Sequence, residues 1–397
     1  MSPANGRPLR VALFSRYPTD PDRPHGGVEA VAVVLVRALA RLADLDVHVV
    51  TLEERRSTVT IGTNDGAHIH RLPGSRWPQM ADILVGPGRR RLAHYLRSLQ
   101  PDIVHTHETY GLTLPRLPVP HVFTVHGFDH ANLVADSARG AWLRSPLWRR
   151  VEQFGLGRQQ HIISISPYVR QMLEPLTRAA IHDIDNPIDE RFFRIEHAPE
   201  AGRVLCVGWI SHRKNTLGAV QALAEVARRG VASTLVIAGR PKEQAYYDEV
   251  RACIAANKLE DRVEFLGHVN HERLQHELAR AAVFLLPSRQ ENSPMAIAEA
   301  MAVGVPVIAA NRCGMPFMVE EGGSGYLVDP ENTGEIAKRL ATLLREPKQA
   351  AAMGRRGREI AEARFHPDAV ARKTRDLYHQ LCAAAPPRVR GAVGSVT

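Results

Sequence analysis

The sequence predicts an α/β protein built from two Rossmann-like, doubly wound domains facing a central cleft. Three observations carry that prediction. The chain has 397 residues, which is long for one hydrophobic core and comfortable for two. Short apolar runs alternate throughout with longer amphipathic segments, as in βα units. The alternation breaks once, in DIDNPIDERFFRIEHAP over residues 183–199, where prolines and charges cluster.

The runs fall at 10–14, 46–51, 102–105, 121–125 and 161–165, and then, past the break, at 203–207, 234–238, 263–266, 282–286, 306–309 and 325–328. Several (VALF, IVH, TLVIA, VFLL) are apolar without interruption, the pattern of strands covered on both faces of a parallel sheet. Between them lie helical patterns. In residues 28–42, Val28, Val31, Ala32, Leu35, Ala38, Leu39 and Leu42 share one face. The reading is therefore a first Rossmann-like domain over residues 1–187 and a second over 188–366. A helix over 367–382 then returns toward the first domain, and a tail over 383–397 has the composition of disorder. Ligands of open α/β sheets bind beyond the strand C-termini, which here face a shared cleft.

Composition excludes several classes. With 44% hydrophobic and 23% charged residues the chain reads as globular. Its start lacks the apolar core of a signal peptide, and its longest uncharged apolar stretch is about half a membrane span. A cytoplasmic protein is expected. The net charge of +9 suits anionic ligands, but no nucleic-acid motif accompanies it. The segment PGRRRLAHYLRSLQ over 87–100 leaves peripheral contact with the inner face of a membrane open, against the plainer reading of a solvated helix face. Cys206, Cys253, Cys313 and Cys382 form no CxxC pair or metal-ligand spacing and read as inert thiols.

The most informative stretch is LLPSRQENSPMAIAEAMAVGVPVIA. A buried strand runs into a polar loop and a helix follows. Ser293 suits the N-cap and Pro294 the first helical position. The N–H groups of Met295 and Ala296 would then make an anion site with the helix dipole. Glu291 precedes the cap, and Glu299 lies about 9 Å along the helix beyond it. An anion site flanked by two carboxylates suits a sugar diphosphate, whose hydroxyls carboxylates accept. A capped helix with two solvated glutamates fits the same residues.

ENSPMAIAE, followed by AMAVGVPVIA, GG and GYLVDP, resembles the signature of the retaining glycosyltransferases of family 4, which have the GT-B fold. The resemblance extends over nearly the whole chain. It implies a nucleotide-sugar donor (UDP-, GDP- or ADP-linked), a glycan, lipid-linked sugar or small-molecule acceptor, and catalysis without a metal. It implies that Glu299 binds the donor ribose and that Glu291 contacts the transferred sugar, with Asn292, Ser293 and Met295 between them at the donor. In VGWISHRKN, Lys214 matches the family's diphosphate-binding lysine. The family's arginine position holds Trp209 instead. Arg213 then substitutes for that cation, or Trp209 packs on donor or acceptor, or the donor is held more weakly. In VEFLGHVN, backbone at His268 and Val269 would read the nucleobase. In the first half, Gly26 and Gly27 of PHGGVEAV would lie beside phosphates or acceptor, their lack of side chains permitting close approach and φ > 0. His126 of FTVHGFDH, read as exposed at the cleft edge, would contact the donor sugar, with Asp129 nearby.

His105, His107, Glu108, His126 and His130 raise the question of a metal, but strand-end spacing fixes no third ligand. A sugar-nucleotide epimerase or hydrolase on the same architecture, and a non-catalytic GT-B subunit, are the alternative functions.

Overall fold

The computed structural model describes residues 7–24, 26–53, 56–74, 82, 86–107, 109–128, 130–131 and 141–385. The first sheet contains β1 (Leu9–Phe14), β2 (Leu45–Glu53), β3 (Thr60–Asn64), β4 (Ala67–Pro73), β5 (Ile103–Thr106), β6 (His121–Val125), β7 (His161–Ser164) and β8 (Ala180–Asp183). Their spatial order is β3-β4-β2-β1-β5-β6-β7-β8, parallel except for the β3–β4 hairpin. The second sheet contains β9 (Arg203–Val207), β10 (Thr234–Ala238), β11 (Val263–Gly267), β12 (Val283–Leu286), β13 (Val307–Ala310) and β14 (Gly325–Val328). Its order, β11-β10-β9-β12-β13-β14, reverses between β9 and β12. The first sheet reverses likewise between β1 and β5. These reversals are where loops splay apart and open a crevice.

Strand β1 shows why the sheets are buried on both faces. Leu9, Val11 and Leu13 enter the core formed with helix Gly27–Ala40, while Ala12 and Phe14 enter another with helix Pro87–Ser98. In β9, Val204 and Cys206 point into one core and Leu205 into the other, which is shared with helix Met295–Val303. Cysteines Cys206, Cys253, Cys313 and Cys382 are free thiols.

Three strands were invisible to the apolar pattern: β3, which is mostly exposed, β4 (AHIHRLP) and β8 (AIHD). The crossing between sheets also differs from a solvated linker. Ile188, Phe192 and Phe193 of this segment are buried in the second domain's core, Glu190–Arg194 forming one 3-10 turn. Charges of the segment pair with other elements, Arg41 with Glu190 at 3.0 Å and Arg364 with Asp185 at 2.7 Å.

The final helix, Pro367–Ala384, packs on helix Gly27–Ala40, with Val370, Leu377, Tyr378 and Leu381 in the first domain's core. The arginine-rich helix Pro87–Ser98 turns Leu92, Ala93 and Leu96 inward. A membrane contact through that helix would need those side chains outside, so the structure removes its apolar half. No helix among the described residues is long and apolar enough to cross a membrane.

Candidate active site

The loop after β12 and the loop after β9 meet at one carboxylate. Glu291 Oε1 lies 2.8 Å from the Arg213 guanidinium and 2.7 Å from Lys214 Nζ. All three side chains are largely shielded, so their mutual attraction is screened less than at an open surface. Arg213 also donates to the Gln290 carbonyl at 3.1 Å.

Backbone shape makes this meeting feasible. Gly208 ends β9 with φ +135°, and the Lys214 stem crosses directly over it: a Cβ there would stand 2.8 Å from Lys214 Cε. Gly239 lies against the Gly208 carbonyl, leaving no room for a side chain at either position. On the other loop, Gly314 donates its N–H to the Glu291 carbonyl at 2.8 Å, and a Cβ there would meet the Asn292 oxygen at 1.8 Å. Trp209, just past the end of β9, is 51% exposed and fills no core.

The helix beyond Glu291 starts one residue later than its sequence suggested. Pro294, not Ser293, is the N-cap: its ψ of 115° is extended and no side chain caps the helix. The Ser293 hydroxyl instead approaches Met318 Sδ at 3.9 Å. The first turn closes with Ile297 N–H on the Pro294 carbonyl at 3.1 Å. The N–H groups of Asn292, Ser293, Met295 and Ala296 find no acceptor among the described residues. Unsatisfied amides at a helix start form an anion site.

Glu299, one turn farther on, has no ion-pair or hydrogen-bond partner among the described residues. Burial, and secondarily the charge of Asp189, push its carboxyl up to about 7. It is a half-buried carboxyl with hydrogen-bonding capacity left over for a ligand. His268 is exposed just past Gly267, whose φ of +65° turns the chain out of β11, while Val269 packs against the second core.

The first domain contributes neutral histidines. His126 follows β6 and is half-buried, a correction to the exposed position its sequence context implied. The reason is His107, at the end of β5: its Nδ1 is 2.9 Å from His126 Nε2. Burial pushes His126 down to about 4, and burial with His105 and His126 as neighbours holds His107 well below the usual imidazole range. Behind them His105 joins Tyr378 of the last helix and Thr124, each at 2.6 Å. His107 Nε2 and His126 Nδ1 are buried without hydrogen-bond partners. His130 pairs with Glu152 at 2.5 Å. Of these histidines only His107 and His126 bond each other, while His105 and His130 turn to other partners; Glu108 and Asp129 lie outside the described residues.

Gly26 and Gly27 start the first helix with nothing within 4 Å of a built Cβ. Neither adopts positive φ, Gly26 being extended at −171°, so openness rather than a left-handed turn is what glycine provides there.

The two sides touch at Asn292. Its side chain donates to the His126 carbonyl at 3.1 Å, and its own carbonyl accepts from the Ser166 hydroxyl at 2.8 Å. Sequence reasoning did not find Ser166, Gly208 or Gly314, and it raised His107 only in connection with a metal. Their signals, a serine N-cap and single glycines at strand ends, occur in any α/β protein.

This arrangement is that of a two-domain enzyme with an anion site at the junction. The model for Glycosyltransferase Family 4 matches residues 25–192, and that for Glycosyl transferases group 1 matches residues 187–360. The chain belongs to this glycosyltransferase family, with the GT-B fold. The α-maltose-1-phosphate synthase of Mycobacterium tuberculosis is 26% identical over 406 residues, 94% of this chain and 100% of that protein. A GDP-mannose-dependent α-(1-6)-phosphatidylinositol monomannoside mannosyltransferase of the same species is 33% identical over 185 residues, 45% of this chain and 47% of that one. Among solved structures, sucrose-phosphate synthase from Thermosynechococcus elongatus superposes with a TM-score of 0.77 at 23% identity, over 95% of this chain and 100% of that one. HepE of Anabaena, in complex with UDP and glucose, gives 0.71 at 17% identity, over 94% and 100%.

Proposed function

We propose that the protein transfers a hexosyl group from a nucleoside-diphosphate-sugar to an acceptor hydroxyl with retention at the anomeric carbon, in glycan, polysaccharide or glycolipid synthesis. The observation that carries this reading is the Arg213–Lys214–Glu291 cluster adjoining four open amides at residues 292–296. As the bond from the anomeric carbon to the diphosphate breaks, charge grows on the departing oxygens. The amides, Lys214 and Arg213 are fixed donors that would stabilise it without a resident metal. The acceptor oxygen attacks from the same face, and its proton passes to the leaving phosphate. Arg213 takes the place of the cation that Trp209 displaces, which argues against a non-catalytic subunit.

In this reading a donor diphosphate draws both cations away from Glu291. Its carboxylate is thereby released to orient the sugar, while Glu299 accepts from the ribose and His126 contacts the sugar. Gly27 leaves room for phosphate or acceptor, and His268 with Val269 borders the nucleobase. The test is a panel of UDP-, GDP- and ADP-sugars with candidate acceptors, read by NMR of the product anomer. An inverted product contradicts the retaining chemistry, and donor consumption with no glycoside formed favours the epimerase or hydrolase alternative.

Peripheral contact with a membrane is a second part of this proposal, supported by a feature distinct from helix Pro87–Ser98. Helix Ala141–Leu156 exposes Trp142 (77%), Leu147 and Phe154. Arg144, Arg149 and Arg150 lie among them, while the helix's glutamate, Glu152, is buried against His130. Aromatic and cationic groups without exposed acid suit the anionic inner face of a membrane. Flotation with phosphatidylglycerol-containing vesicles tests this contact. Retention of the protein by those vesicles after Trp142→Ala and Phe154→Ala would argue against it.

A further inference from the structure

Strands β2 and β4 lie side by side in parallel, with His48 opposite His68. Because side chains alternate along a strand, Asp46, His48, His68 and His70 share one face. Asp46 Oδ1 lies 3.1 Å from His48 Nε2 and 3.9 Å from His68 Nε2, and the three donor atoms all lie within 4.8 Å of one another. They form the group able to hold a metal among the described residues.

We propose that Asp46, His48 and His68 bind a divalent transition-metal ion of the zinc class, at a site separate from the catalytic cleft. His48 lies five residues before the C-terminal end of β2, roughly 17 Å from the cleft edge of the sheet. Two imidazoles and one carboxylate are a borderline-soft donor set that suits zinc, with water completing the shell.

The surroundings hold the donors in place. Arg10 Nε binds the other Asp46 oxygen at 2.8 Å, which aims Oδ1 at the imidazoles. His48 Nδ1 is 2.9 Å from His70 Nε2, and His70 Nδ1 is 2.9 Å from Tyr95 Oη. With protons on Nδ1 of both histidines, His48 donates to His70 and His70 donates to Tyr95, leaving the His48 Nε2 lone pair facing Asp46. Outer hydrogen bonds of this kind fix the tautomer of a metal-ligating histidine.

The reverse proton arrangement would put a hydrogen on His48 Nε2. That atom is buried and makes no hydrogen bond, so its N–H would miss Oδ1 despite the 3.1 Å separation. An ion about 2.0 Å from both atoms sits off the line joining them, which is compatible with such a misaligned pair. Tetrahedral ligands at that bond length stand about 3.3 Å apart. His68 Nε2, 3.9 Å from Asp46 Oδ1, therefore needs to approach that oxygen by roughly 0.6 Å, and its side chain, stacked on His48, is 46% exposed.

The site would clamp β4, and through it the edge strand β3, to the centre of the first sheet. The experiment is zinc titration of the full chain, first stripped with a chelator, in competition with a chromophoric zinc indicator. Cobalt absorption in the visible range reports the coordination. One equivalent should bind, with four- or five-coordinate cobalt bands and a raised melting temperature. His68→Ala and Asp46→Asn should each weaken binding at least tenfold, and Tyr95→Phe by about tenfold. Replacement of the exposed His276 is the control and should change nothing. His68 and Tyr95 are partly exposed, so far-ultraviolet circular dichroism can establish that those variants fold. Absence of a saturable site at tens of micromolar zinc, or equal affinity in folded His68→Ala and wild type, would overturn the proposal.

Discussion

The two sides of the cleft are built from the same βα units and carry opposite chemistry. On the second domain, charged groups and open amides converge: Arg213 and Lys214 share Glu291, and four N–H groups follow it. On the first, buried histidines bond one another and burial holds them neutral. The contrast separates binding from orientation. A doubly charged diphosphate gains most from cations and amide dipoles, whereas a neutral sugar and acceptor gain from shape and uncharged hydrogen bonds.

The largest effect should come from Glu291. In Glu291→Gln the two cations lose their carboxylate but keep their places, so kcat should fall by roughly 10²- to 10³-fold while donor affinity holds or improves. Unchanged turnover in a steady-state assay would remove Glu291 from the chemistry. The next contrast sets Lys214→Ala against His126→Ala. The first should weaken donor binding roughly 10- to 100-fold by calorimetry. The second should lower kcat about five- to tenfold with donor affinity little changed, and equal binding losses would erase the division between the two sides.

A smaller effect concerns pH. Glu299 is raised to about 7 by burial and Asp189. The sign follows from the raised value. Stability from the protonated carboxyl is fully present below the usual glutamate range and is lost as pH rises through about 7. Donor binding runs the other way, because ribose hydroxyls donate to the ionised form. Affinity for an intact sugar nucleotide, whose pyrophosphate diester does not titrate there, should rise by up to about tenfold from pH 6 to pH 8. Glu299→Gln should flatten that slope, and an unaltered slope would assign the titration elsewhere.

The architecture was legible because a parallel sheet covered on both faces writes its strands as unbroken apolar runs, as in VALF and VFLL. Strand β4 escaped notice because its buried positions include His70, held by Tyr95 and His48, and a histidine ladder looks polar in one dimension. The open amides of the loop–helix start were legible from its sequence. Its cap was misplaced by one residue because Ser293-Pro294 permits two registers, and the extended ψ of Pro294 decides between them. The salt bridge from Glu291 to Lys214 joins residues from different βα units, and no local pattern announces it. The departure at Trp209 was visible in the sequence; the fact that Arg213 and Lys214 both close on the Glu291 carboxylate was not.

The central claim is that the donor diphosphate is bound by Arg213 and Lys214 and thereby frees Glu291. Calorimetric titration of the preferred sugar nucleotide into wild type, Glu291→Gln and the Arg213→Ala/Lys214→Ala double variant tests it most directly. Binding should be at least as tight in Glu291→Gln as in wild type, and weakened more than tenfold in the double variant. Loss of affinity in Glu291→Gln with full affinity in the double variant would contradict it.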